Sequence, residues 1–177
     1  CIRDRWKIQK EGYFQSISSA KALSIVPMNL RGPNNEWIAI AKRARVIFYN
    51  PRSVSDHEIA SLNYEDLADK QWNDRVVIRS SNNIYNQSLV ASLISTHGID
   101  KTEEWAKGFV SNMARKPQGN DRSQIMAVAN GMADIAIANS YYYGYMLSGK
   151  AGDEPRDAAQ KVKMFFPNQS NRGVHIN

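Results

Sequence analysis

Two short apolar runs, RVVIRS around Val76–Ile78 and DIAIAN around Ile135–Ala138, constrain this chain more than any other feature. Each is apolar at every position over a few residues and bounded by turn-forming sequence, which reads as a strand covered on both faces. Between them lie segments with helical spacing. SLVASLIS carries Leu89, Val90, Leu93 and Ile94 and is stopped by Gly98, and the next segment sets Trp105, Phe109 and Met113 four apart on one face. Asp100 with Glu103, and Asp121 with Gln124, read as capping signatures at helix starts. Helices of this length between such strands predict an α/β layer with a mostly parallel sheet flanked by helices.

Upstream, WIAIAKRARVIFYN reads as extended, one long strand or a strand pair around the basic stretch KRAR, and Asn50-Pro51 ends it. YEDLADKQW reads as a short helix or turn. The 177 residues allow one domain or two small ones. The chain begins on Cys1 and ends on VHIN, which reads as truncation at both ends, and residues 1–4 are expected to carry no structural meaning.

Composition removes whole classes of chemistry. Cys1 is the single cysteine, so disulfide frameworks, thiolate zinc sites and cysteine nucleophiles are excluded. Hydrophobic residues make up 42%, with no apolar run near the ~20 residues of a membrane helix. The net charge of +6 is spread along the chain, and no nucleic-acid site is expected from it. His57, His97 and His175 stand apart without metal-pair spacing. No nucleophile, base and orienter set is present, so no enzyme is expected.

The remaining feature is ANSYYYGYM. Tyr141 and Tyr142 would point to opposite faces of a strand. Asn139 and Ser140 are good N-cap residues, however, and a helix opening there turns successive side chains by about 100°, so both phenols can converge beyond its end. The helix dipole and open N–H groups there favour phenolate. A free tyrosine titrates near pH 10, so phenolate at neutral pH calls for a strong positive charge, and hard oxygen donors suit Fe(III). The same residues also fit a helix start that packs its rings with hydroxyls at the surface. Likewise, Ser80, Ser81, Asn82 and Asn83 read either as a loop offering N–H groups to an oxyanion or as a plain turn.

The order WIAIAKRARVIFYNP, QWNDRVVIRSSNNIYNQSLVAS, WAKGFVSNMARKPQGNDRSQIMAVANG, DIAIANSYYYGYM and FPNQSNRGVHIN resembles the periplasmic ferric-ion-binding proteins of bacterial ABC transporters, over about residues 5–177. The resemblance implies a type II periplasmic-binding-protein fold, two-lobed in the full-length protein, with 36–50 as the crossover or hinge and 72–165 as the second lobe. It implies an Fe(III) site in the interlobe cleft with Tyr141 and Tyr142 as the adjacent pair and Tyr85 as a third ligand. Arg45 falls near the ion or a synergistic anion, carbonate or phosphate, with Ser81, Asn82 and Asn139 as further second-shell or anion-binding positions. By residue type alone Arg45 also fits a solvent-facing strand. Tyr143 is expected to pack or face solvent, and Tyr145 stands where some relatives carry arginine. The resemblance further implies a monomer, a periplasmic location, an ABC permease as partner and further ligands upstream of this segment. The alternative function is a carrier of the same architecture for a small organic or phosphate-type anion.

Overall fold

A computed structural model describes residues 2–177, which divide into two compact units, 1–42 and 43–177. The first carries α1 (Ile2–Lys10), α2 (Ala20–Ile25) and a 3-10 turn at Met28–Leu30. Ser19 caps α2 by accepting from the Ala22 N–H. Within this unit the Trp37 indole donates to Gln9 at 3.0 Å. Helix α1 takes in residues 2–4, for which no structural meaning is expected; Cys1 lies outside the described residues.

The second unit contains β1 (Arg45–Tyr49), α3 (Asp56–Ile59), two 3-10 turns (Glu65–Ala68 and Lys70–Trp72), β2 (Val76–Val77), α4 (Ile84–His97), α5 (Ile99–Ser111), α6 (Asp121–Ala129), β3 (Ile135–Asn139), α7 (Ser140–Leu147), α8 (Asp153–Lys161) and β4 (Lys163–Phe165). The strands form one sheet in the order β2-β3-β1-β4. Alternate side chains enter two cores. Val46, Phe48, Val77, Ala136 and Ala138 face Ile125, Val128, Met146 and Ala159, while Ile47, Tyr49, Val76, Ile135 and Ile137 face Leu67, Trp72, Leu89 and Phe109. Cover on both faces is why these strands are apolar at every position.

The sheet is mixed, which corrects the expectation of mostly parallel pairing. Helical crossovers α4–α6 bring β3 back parallel to β2, and α7–α8 return β4 in the same sense as β3. The reversed strand is β1, inserted between β3 and β4 and antiparallel to both. The long extended reading of the upstream segment also contracts, to residues 45–49. The boundary between the units falls between Lys42 and Arg43. Among the described residues no helix is long and apolar enough to cross a membrane.

Helix ends follow local chemistry, with two corrections. Gly98, at φ +85°, closes α4 as expected and also stands as the uncapped start of α5, so Asp100 and Glu103 form no capping box. Glu103 instead pairs with Lys107 one turn on, at 2.8 Å. The cap of α6 is Asn120, boxed with Ser123, and Asp121 is the first helical residue. Ile137 is fully buried at the centre of the sheet, whereas Met132 is 54% exposed. Ile137→Ala is therefore expected to lower the unfolding free energy of the intact protein by about 2–5 kcal/mol in urea, while Met132→Ala stays within about 0.5 kcal/mol.

Candidate functional site

The site begins at the junction of β3 and α7. Asn139 is the N-cap residue in extended conformation, yet its side chain caps nothing. Its Oδ1 accepts from Arg45 Nη1 at 3.3 Å, and its backbone N–H donates to Asp121 Oδ2 at 2.9 Å. The first turn of α7 thus keeps its N–H groups free of a side-chain cap and carries Tyr141 and Tyr142, their ring centroids 4.1 Å apart. Tyr141 is 40% exposed.

The third phenol comes from α4. Asn83 caps that helix by accepting from the Tyr85 N–H at 3.0 Å, which fixes Tyr85 in its first turn. Burial, then hydrogen bonding with Tyr142 and Tyr85 and the charge those phenols would carry, pushes the Tyr141 hydroxyl well above the ordinary tyrosine range. The three hydroxyls therefore lie close together, and the raised Tyr141 phenol keeps its proton. Among the described residues no group of three or more His, Cys, Asp or Glu side chains is arranged to hold a metal ion.

Behind the phenols lies a buried polar network built on Arg45. The register of β1 against β3 sets Arg45 opposite Asn139, at the end of the sheet where α7 starts. Arg45 and Asp121 are both fully buried and meet at 2.7 Å. Arg45 Nη2 donates to Asn86 Oδ1 at 2.5 Å, and Asn86 Nδ2 donates to the carbonyls of Arg79 and Ser80. Arg79 Nη1 donates to the other Asp121 oxygen at 3.3 Å. Desolvation lowers the guanidinium pKa of Arg45, and the charge of Asp121 opposes that shift. The Arg45 carbonyl accepts from the hydroxyl of Tyr64, whose buried phenol is driven up toward the neutral form.

Two guanidiniums against one carboxylate leave one positive charge in excess here, close to the phenols. The Arg45 and Arg79 guanidinium carbons lie 6.0 and 5.9 Å from the Tyr85 ring centre, and that of Arg43 lies 5.4 Å from the Tyr141 ring. Arg45 Nε is buried and without a partner among the described residues, a donor that an oxyanion would satisfy.

Tyr85, Tyr141 and Tyr142 are brought together, and Arg45 and Asn139 stand directly behind them. The solvent-facing reading of Arg45 is overturned by its complete burial. Ser81 and Asn82 are exposed on the turn before α4, where the Ser81 carbonyl accepts from Gln87 and the Asn82 N–H donates to Ser80 Oγ; neither bonds to the network. Tyr143 packs on Phe48 and donates to the Val162 carbonyl at 3.2 Å. Tyr145 donates to the Lys150 carbonyl, with the Arg122 guanidinium 5.8 Å from its ring. His57 is exposed, His97 bonds Glu65 and His175 bonds Ser88. Asp121, Asn86 and Arg79 were missed by the sequence reading. Asp121 stood out only as a helix-start acid, and nothing near Asn86 distinguishes it from an exposed polar position.

A model of the bacterial extracellular solute-binding protein family matches residues 5–169. Iron uptake protein A1 of Synechocystis is 50% identical over 177 residues, 97% of this chain and 47% of that protein. The Fe(3+)-binding periplasmic protein of Serratia marcescens is 27% identical, over 89% of this chain and 44% of its own length. Among solved structures, Trichodesmium IdiA (FutA) in complex with iron and citrate superposes with a TM-score of 0.89 at 52% identity, covering 97% of this chain and 54% of that one. The ferric binding protein from Campylobacter jejuni gives 0.85 at 38%, over 93% and 51%. The chain spans about half the length of the curated relatives it matches.

Removing the shared carboxylate leaves two guanidiniums facing each other in the interior. Asp121→Ala is expected to cost about 3–5 kcal/mol in denaturant unfolding, and the double variant Arg45→Met, Asp121→Leu to cost less than this single one. A loss below about 1 kcal/mol for Asp121→Ala would contradict the pairing described.

Proposed function

Because this chain belongs to the bacterial extracellular solute-binding protein family, we propose that, as part of a longer protein, it binds Fe(III) through the phenolates of Tyr85, Tyr141 and Tyr142 and delivers the ion to an ABC permease at the inner membrane. The observation that carries this reading is the meeting of three phenols from two helix starts, with the Tyr141 and Tyr142 rings 4.1 Å apart and Tyr85 near enough to perturb the Tyr141 hydroxyl. Phenolates are hard donors, and three of them balance a trivalent ion. The iron-uptake and ferric-binding names of the relatives support the same cargo. The periplasm is the proposed location, and 36–50 is the proposed crossover between lobes, with the remaining ligands supplied by chain outside these residues.

In this reading the excess positive charge of Arg45 and Arg79 lies beside Tyr85, and the first turn of α7 presents N–H groups without a side-chain cap, a setting that suits negative charge on bound oxygen ligands. The ion then replaces three phenolic protons with one centre of charge. A synergistic carbonate or phosphate fits the open Arg45 Nε donor. Three protein phenolates nevertheless neutralise the ion without an added anion, and the company Tyr85 keeps favours that version. A carrier of a small organic or phosphate-type anion is the second reading, favoured by the same open donor.

Three outcomes follow for the full-length protein. Its ferric form should be coloured by phenolate-to-iron charge transfer, with Tyr141→Phe or Tyr142→Phe strongly reducing the band; an iron-loaded protein without a visible band would rule out tyrosinate ligation. In buffer free of carbonate and phosphate, Tyr85→Phe should weaken iron binding by more than about tenfold, equivalent to 1.4 kcal/mol, and an unchanged affinity and band would remove it from the ligand set. The pH dependence has a definite sign: the Tyr141 phenol, raised above its ordinary range, must lose its proton to bind, so affinity falls as pH drops. Iron affinity measured from about pH 7 to 4.5 should decrease throughout while circular dichroism holds constant.

A further inference from the structure

Residues 175–177 run antiparallel beside 43–45. Arg43 and Asn177 exchange backbone hydrogen bonds at 3.0 and 2.8 Å, and the His175 carbonyl accepts from the Arg45 N–H at 2.9 Å. The His175 N–H donates to the Tyr64 hydroxyl at 3.2 Å. Its ring reaches α4, where Nε2 and the Ser88 hydroxyl are 2.8 Å apart. Ser88 follows Tyr85 by three residues and lies on the same side of the helix. The start of α4 is therefore tied to β1 twice, through Asn86 to the Arg45 guanidinium and through Ser88 and His175 to the Arg45 backbone.

The surroundings of this ring do not suit a second cation. From β1 comes the buried Arg45 guanidinium, from α4 Ser88, from residues 64 and 65 the Tyr64 hydroxyl and the Glu65 carboxylate, and from its own segment Arg172. Glu65 is the one acid among the residues lining the cavity beside His175, and its two oxygens are taken by His97 and Asn168, each at 2.8 Å. Arg172 is bonded to Thr96. Among the described residues His97 gains a carboxylate partner and His175 does not. Burial, then the charge of Arg45, hold the His175 imidazole below the ordinary histidine range, which keeps it uncharged at neutral pH.

We propose that His175 is a positioning residue for the Tyr85 ligand: the uncharged ring braces the first turns of α4 through Ser88, and the protonated ring releases that brace. The inference rests on the Fe(III) reading above and adds to it a proton switch outside the ligand set. A proton on His175 sets a second cation against Arg45 with no acid to share, so the ring turns out toward water and Ser88 loses its partner. Iron held by Tyr85 keeps the brace closed, and by linkage iron and this proton exclude each other. The sign follows. As pH falls through the ordinary imidazole range, near 6.5, the metal-free protein takes up the proton before the iron-loaded one does, so affinity falls more steeply there than the phenols alone require.

The test is iron affinity of the full-length protein at about pH 7.5 and about pH 5, in wild type, His175→Gln, Tyr85→Phe and the double variant. Glutamine keeps a hydrogen-bonding partner for Ser88 and takes up no proton. The ratio of the two affinities is expected to be about tenfold smaller in His175→Gln than in wild type. In the Tyr85→Phe background the same substitution should leave that ratio unaltered, because the brace acts through Tyr85. A weakened Tyr85→Phe together with equal ratios in wild type and His175→Gln overturns the brace alone, as does an effect of His175→Gln that survives Tyr85→Phe. Tyr85→Phe binding iron as tightly as wild type overturns the ligand reading and takes the brace with it. A measurement on the wild-type chain guards against a variant that misfolds. With diamagnetic Ga(III) in place of Fe(III), the His175 ring signals in NMR should titrate about one pH unit lower than in the metal-free protein, and equal midpoints would overturn the proposal.

Discussion

Taking a guanidinium and a carboxylate out of water costs several kcal/mol per ion, and at Arg45 and Asp121 that cost is offset only because nearly every remaining donor and acceptor is used. Asp121 receives Arg45, Arg79 and the Asn139 N–H; Arg45 donates to Asp121, Asn139 and Asn86. These bonds tie together the start of β1, the start of α6, the end of β3 and the first turn of α4. An ion pair of this kind contributes less to stability than to uniqueness, since any other arrangement of the four elements would strand a charge in the interior.

The consequence for the site is positional. Tyr141 and Tyr142 follow Asn139 across the single residue Ser140, and Tyr85 precedes Asn86 by one residue, so the two starts that carry the phenols are held by residues bonded to the same guanidinium. Rigid strand and helix termini place ligating atoms more closely than loops do. The network also supplies the electrostatic setting, a positive charge in excess beside the phenols, to which Arg43 adds at 5.4 Å from the Tyr141 ring. Tyr64 shows the contrast: deeper still, its hydroxyl is spent on the Arg45 carbonyl, and it serves the scaffold.

Much of this was legible locally. The apolar run Ile135–Ala138 followed by Asn139-Ser140 specifies strand, cap and helix within a dozen residues, and β3 ends at Asn139 with α7 starting at Ser140. Adjacency of Tyr141 and Tyr142 at a helix start follows from that junction. What escaped depends on contacts between distant residues. Arg45 lies 76 positions from Asp121 and 94 from Asn139, and its burial follows from the antiparallel register of β1, which no local pattern specifies. An aspartate opening a helix has a sufficient local explanation in the dipole, which hid its role as the shared carboxylate. Helical connections on either side of β3 argued parallel strands, and they do run in one sense, but the insertion of β1 leaves one parallel pairing in the sheet.

If the three phenols form one metal site, iron must lie within reach of all of them. In an anomalous difference map at the iron absorption edge, from crystals of the full-length protein loaded with Fe(III), one dominant peak is expected within bonding distance of the Tyr85, Tyr141 and Tyr142 hydroxyl oxygens together, with Arg45 behind them and still paired to Asp121. A peak bonded to none of the three, or iron held by carboxylates elsewhere, would contradict it.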